Sequence, residues 1–192
     1  MGKRFGIDID GTVTSPDSII KFVNDDFNMN LTLEEITEYD LTPFVNINEK
    51  EFFTWFIKRE PDIYRESPIA SGASKVLKEW KKENHLFFIS ARARKMMEIT
   101  QEWLEKHRIP FDHIELVGSH DKIAAARNLK VDIFLEDKHD NAVEIHEACG
   151  IPVLLFDAPY NRKPIPEGVI RVHSWEEAYH WVNQWMKQTT KI

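Results

Sequence analysis

Residues 4–12 read RFGIDIDGT, an apolar run that ends in two carboxylates and a glycine. Side chains alternate along an extended strand, so Asp8 and Asp10 leave the same face, with Ile7 and Ile9 as apolar neighbours. Two carboxylates placed together repel unless a cation or a proton stands between them. Gly11 then permits a sharp turn and close approach of a ligand to the backbone. An Asp-Gly turn closing a strand is common in its own right, so the stretch gains meaning from what recurs along the chain.

Further apolar runs of strand length lie at 86–90 (LFFIS), 113–117 (HIELV), 131–135 (VDIFL) and 153–156 (VLLF), with a shorter one at 169–172. Amphipathic helical patterns occupy 73–82, 95–107, 121–128, 141–149 and 175–186. Strands separated by helices imply right-handed crossover units and an α/β fold, a mostly parallel sheet with helices on both faces. Gly150 followed by Pro152 stops a helix and starts a strand. Residues 16–68 break this rhythm. They show helical patterns at 16–27, 33–39 and 48–57 but no strand, with Thr32 as an N-cap and Glu34 and Glu35 in the first turn of the middle one. The expectation is a core of residues 1–15 and 69–192 carrying a small all-helical cap, 16–68, inserted after the first strand. Such an insertion lies at the carboxyl edge of the sheet, where open α/β sheets bind ligands.

The 192 residues, 42% hydrophobic and 30% charged, suit one globular core with a modest insertion. The net charge of -7 argues against a nucleic-acid polymer as partner. It does not argue against a small anion, because a bound divalent cation reverses the sign of a local site. The single cysteine, Cys149, excludes an internal disulfide and a Cys-rich zinc site and reads as a small buried hydrophobe. The histidines show no zinc spacing. The opening MGKRFGIDIDG is too short and soon too polar for a signal peptide, and no apolar run approaches the roughly 20 residues that span a bilayer. The expectation is a cytoplasmic protein with no membrane partner; a homodimer is left open.

Three other strand ends or helix starts carry polar groups. Glu136-Asp137, with Asp140-Asn141 close behind, follows the run 131–135. Hard oxygen ligands, few in number, suit Mg²⁺ better than zinc, and Asp140 also reads as a helix cap. Ser90, followed by Ala91 and Arg92, ends the run 86–90, and a hydroxyl with backbone N–H groups at such a turn can cradle a phosphate. Lys122, near a helix start, could neutralise a phosphate and a carboxylate together. Each feature alone has an ordinary explanation as an acidic loop, a turn or a solvated lysine.

Taken in order, Asp8-Ile9-Asp10-Gly11-Thr12, Ser90, Lys122 and Glu136-Asp137 resemble the haloacid dehalogenase superfamily of phosphotransferases, over about 140 residues. The resemblance implies a Rossmann-like core and a Mg²⁺-dependent phosphomonoesterase. It makes Asp8 the nucleophile that forms an aspartyl phosphate, and Asp10 the general acid and then base. Mg²⁺ would rest on Asp8, the Asp10 main-chain carbonyl and Asp137, with Glu136 and Asp140 behind them. Gly11, Thr12, Ser90, Ala91 and Lys122 would hold the phosphoryl oxygens. Within the superfamily the chain is most similar to the 5'(3')-deoxyribonucleotidase-like group, in its compact cap and overall length. It departs from the vertebrate members at Ser90-Ala91-Arg92, where they carry a Thr-Ser-Pro-like run, and at Glu136-Asp137, where they carry two aspartates.

The cap is rich in aromatics. Phe44, Phe52, Phe53, Trp55 and Phe56, with Arg92 from the core, are the candidates for selecting a substrate, since stacked rings can hold a nucleobase. Phe52 and Phe56 fall four apart on one helical face, while Phe53 and Trp55 face elsewhere. A small phosphate ester, a nucleoside monophosphate first, is the expected substrate. A sugar phosphate or phosphoglycolate is the alternative within the same chemistry, and a catalytically dead binding protein is the reading from another class.

Overall fold

The computed structural model describes residues 2–189. Six strands form one sheet: β1 (Arg4–Ile7), β2 (His85–Ser90), β3 (His113–Leu116), β4 (Ile133–Glu136), β5 (Val153–Phe156) and β6 (Val169–Val172). Their order is β3-β2-β1-β4-β5-β6 and every pairing is parallel. The chain therefore builds one half of the sheet leftward from β1, then returns to its other side with β4. At that reversal the loops after β1 and β4 part from one another and leave a crevice for ligands.

The apolar alternation of the strands fills two cores. Phe5, Ile7, Phe88, Leu135 and Leu154 pack with Trp80, Trp103 and Trp175, from α3 (Ala73–Trp80), α4 (Met97–Lys106) and α7 (Trp175–Thr189). Ile89, Phe134, Val153 and Leu155 pack on the opposite side with Ala125, Ala142 and Ile145, from α5 (Ile123–Asn128) and α6 (His139–Cys149). Burying each Phe, Ile or Leu contributes about 1.5–3 kcal/mol. Two of the buried indoles also make hydrogen bonds that brace the site: Trp175 Nε1 donates to the Thr12 carbonyl at 3.1 Å and Trp103 Nε1 to the Ser67 carbonyl at 2.8 Å.

The segment between Thr14 and Ile69, which α3 follows before β2, contains α1 (Ile20–Phe27) and α2 (Glu49–Glu66) and no strand. It leaves and rejoins the core through a neck in which Thr14 faces Ile69 in an antiparallel bridge. Ser15 N–H donates to the Pro68 carbonyl and Ala70 N–H to the Val13 carbonyl, both at 2.8 Å. The helix expected at 33–39 is one 3₁₀ turn, Leu33–Glu35. Glu35 closes that turn on the Thr32 N–H and hydroxyl. Beyond it Ile36 is buried, and Tyr39 packs edge-on against Tyr160 and His120 of the core, so tertiary contacts override the helical pattern. The helix expected at 48–57 is instead longer, capped by Asn48 and continuing past Pro61 to Glu66.

Candidate active site

β1 ends at Ile7, and Asp8 N–H still reaches across to the Leu135 carbonyl of β4 at 2.9 Å. The chain then closes a tight loop in which Val13 and Thr14 N–H both donate to the Ile9 carbonyl. Gly11 turns through φ +79°, and a Cβ at this position would collide with the Asp137 carboxylate. The glycine is thus needed twice, for its backbone conformation and for the space that Asp137 occupies.

Asp8, Glu136 and Asp137 meet at this edge, each buried, with one carboxylate oxygen from each within 4.8 Å of the others. Lys122 lies between two of them, its Nζ 2.5 Å from Asp8 Oδ1 and 3.1 Å from Glu136 Oε1. Asn141 Nδ2 also donates to Glu136, and the Tyr160 hydroxyl donates to Asp137 Oδ2 at 2.6 Å. Burial pushes the Asp8 carboxyl well above the usual carboxylate range; Lys122 pulls it down and Glu136 and Asp137 push it further up. Burial, then the Glu136 charge, raises Asp137 to about 7 against the Tyr160 hydrogen bond. Burial alone would lower the Lys122 ammonium, but Asp8 and Glu136 overcome it and hold it above the ordinary lysine range. One ammonium does not balance three carboxylates. The oxygen-only donor set and its excess negative charge fit a hard divalent cation.

The other expected residues fall differently. Asp10 lines the same cavity, and both its oxygens are taken by Arg92, from Nε at 2.9 Å and Nη2 at 2.7 Å. Arg92, expected to help choose the substrate, also lines this cavity, with its side chain buried and its guanidinium paired to Asp10. Gly11 and Ala91 line the cavity, whereas Ser90 and Thr12 are buried off its wall. Ser90 Oγ accepts the Arg92 N–H at 3.2 Å, and Thr12 Oγ1 has no partner among the described residues. Asp140 neither caps its helix nor backs the cluster. It turns to the surface toward His139 and Lys163, and its neighbour Asn141 takes the place expected of it.

Above the cluster opens a cavity of about 820 Å³, walled on the far side by α1 and α2. Phe52, Phe53 and Phe56 line it; Phe44 and Trp55 do not. Trp55 packs against Phe27 and Phe52 and donates its Nε1–H to Asp26 at 2.7 Å, within the cap. Tyr64, another aromatic of the inserted segment, lines it as well, and sequence reasoning missed Tyr160 and Tyr39, which do so too. No local motif marks them, because their partners are brought in by the topology.

The family described as 5' nucleotidase, deoxy (pyrimidine), cytosolic type C matches residues 4–188. The chain is 51% identical to a candidate nucleotidase of Halalkalibacterium halodurans, over 97% of this chain and 96% of that protein. It is 33% identical to a nucleotidase of Clostridium acetobutylicum, again over 97% and 96%. Its fold is similar to that of a haloacid dehalogenase-like hydrolase of Xanthomonas campestris, with a TM-score of 0.66 over 100% of this chain and 99% of that one at 13% identity. A magnesium-bound hydrolase of the same type from Bacillus subtilis gives 0.62 over 95% and 99%, also at 13% identity. Acidic cluster, sheet order and near-complete family match converge: the chain is a phosphomonoesterase with a haloacid dehalogenase-like fold and belongs to the 5' nucleotidase, deoxy (pyrimidine), cytosolic type C family.

Proposed function

We propose that the protein hydrolyses a nucleoside monophosphate in the cytoplasm, with Asp8 as nucleophile and Mg²⁺ as its cation. The observation that carries this reading is the buried Asp8–Lys122–Glu136–Asp137 cluster at the foot of a cavity whose far wall is aromatic. Asp8 would attack phosphorus, and the P–O bond to the leaving group breaks with its electron pair on the leaving oxygen. Asp10 gives that oxygen a proton. A water then attacks the phosphorus of the aspartyl phosphate while Asp10 takes its proton, returning Asp8 and releasing phosphate. Lys122 would neutralise a phosphoryl oxygen, and its ammonium favours the charged form of Asp8 against burial and aims it. Held by Asp8, Asp137 and the Asp10 carbonyl, Mg²⁺ would supply the charge that lets an anionic nucleophile meet a phosphate dianion. The apolar body of the substrate would lie against Phe52, Phe53 and Phe56.

The test is phosphate release across a panel of deoxyribonucleoside and ribonucleoside monophosphates, sugar phosphates and phosphoglycolate. The expected result is a preference for nucleotides in kcat/KM. A preference for phosphoglycolate or a sugar phosphate would replace the nucleotide with that substrate and leave the phosphatase chemistry intact.

A further inference from the structure

Arg92 follows Ser90 and Ala91 at the end of β2, where a basic residue would be expected to grip the phosphate. Its surroundings speak otherwise. None of its side chain is exposed, whereas Asp10 keeps 39% of its own side chain exposed. Arg92 lines the cavity together with Asp10, but its fork is turned to the Asp10 carboxylate. Nε and Nη2 take both Asp10 oxygens, and Nη1 donates to Thr100 Oγ1 at 3.1 Å. Thr100 is itself anchored, its hydroxyl donating to the Met96 carbonyl at 2.8 Å. Across the guanidinium face lies the ring of Tyr64, its centre 3.8 Å from Cζ. Tyr64 belongs to α2 of the cap, and its hydroxyl donates to Glu60 at 3.2 Å. Among the described residues the Asp10 carboxylate has no hydrogen-bond donor other than Arg92.

We propose that Arg92 is a positioning residue that fixes the Asp10 carboxylate for its work on the leaving group, and that Tyr64 makes this fixation depend on a seated cap helix. The inference rests on the acid–base role proposed for Asp10. A planar fork that binds both oxygens sets the position and the plane of a carboxylate. A lysine ammonium would set only a point. Asp10 stands on a loop rather than in a strand, so its aim has to come from a partner, and a misplacement of about 1 Å can cost about 10²-fold in rate. The stacked ring restrains the guanidinium from the cap side. A substrate that seats α2 would thereby also settle Asp10.

The readout is the single-turnover release of leaving group from a nucleoside monophosphate and from p-nitrophenyl phosphate. The alkoxide of the first needs a proton; the nitrophenolate of the second departs without one. Asp10→Asn should slow the first by about 10²-fold or more and the second far less. Arg92→Lys keeps the charge but not the fork. It should slow release from the nucleotide by about tenfold, leave release from the aryl ester nearly unchanged and leave both Michaelis constants in place. Tyr64→Leu should give a smaller split of the same sign. Thr100→Val, which removes the Nη1 partner and keeps the guanidinium, should also give a smaller split of the same sign, and it decides the matter should Arg92→Lys fail to fold. Equal loss on both substrates in Arg92→Lys, or a shared rise in Michaelis constant from a lost phosphate grip, would overturn the proposal while Asp10 keeps its role. If Asp10→Asn itself gives no split, the acid–base assignment falls, and the role of Arg92 falls with it.

Discussion

On the core side of the cavity, Asp8, Lys122, Glu136 and Asp137 are buried and held by neighbours at fixed distances. On the cap side, Phe53 stands 61% exposed and Phe52 and Phe56 are only partly buried. The first wall is built on strand ends, the second mainly on one long helix and two single 3₁₀ turns. Under the proposed function the difference follows from what each wall would have to recognise. A phosphoryl group in reaction needs charges placed to a fraction of an ångström, because electrostatic stabilisation depends on groups already in position. A flat apolar body needs a surface to lie on, and its free energy depends on area more than on aim.

The comparison is broken most directly at Asp8. Asp8→Asn should reduce turnover of every substrate to the uncatalysed background, since an amide is not a competent nucleophile; a near-native rate would remove Asp8 from that role. Chelation should act on the same wall. Excess EDTA should abolish turnover and Mg²⁺ restore it, and full turnover in rigorously metal-free buffer would end the metal-dependent reading.

The buried charges also set a stability difference. Without a cation, the folded Asp8 and Asp137 carboxyls titrate above their unfolded values, Asp137 at about 7. The folded state then holds protons that the unfolded chain releases near pH 4. Their contribution is complete below that pH; the part from Asp137 is lost as the pH rises through about 7, and the part from Asp8 is likewise lost on the alkaline side of its ordinary range. The thermal midpoint of the chelated protein should therefore fall between pH 5 and pH 8, and added Mg²⁺ should raise it more at pH 8 than at pH 5. An equal rise at both would show that the carboxylates are not what the cation relieves.

The smallest effects belong to the cap. Phe52→Ala and Phe56→Ala should each cost about 1–3 kcal/mol in nucleotide binding, raising the Michaelis constant for a nucleotide more than for a generic aryl phosphate. Trp55→Ala should lower the thermal midpoint, because it loses the Asp26 hydrogen bond and the Phe27 contact, but leave that ratio of Michaelis constants unchanged. A cap whose substitutions move both substrates alike does not read a base.

The same contrast governs what could be read from the chain. The sheet and its acidic edge were legible because strand alternation, a glycine and an acidic pair are local signals that a parallel sheet then aligns. The Asp10–Arg92 pair was not, since its members lie 82 residues apart and nothing near either one names the other. Tyr160 reaches Asp137 from 23 residues away for a similar reason. Asp140 and Asn141 show the limit of spacing arguments: adjacent residues on a helix diverge by about 100°, and here it is Asn141 that faces in. In the cap, the middle helix failed because burial of Ile36 and the packing of Tyr39 outweigh a three-residue turn.

The neck at Thr14 and Ile69 has a consequence for how this enzyme could be remade. Its two chain crossings are joined by main-chain hydrogen bonds, Ser15 to Pro68 and Ala70 to Val13. The ends of the intervening segment are therefore already side by side, and closing a longer or shorter segment between them changes the loop entropy only slowly with length. Neither β1 nor β2 would have to shift its register to receive a different insert. The reaction centre is in this sense a socket, and a new fitting would have to supply replacements for Phe22, Ile63 and Tyr64, which pack in the same core as β1 and, in the case of Tyr64, against Arg92.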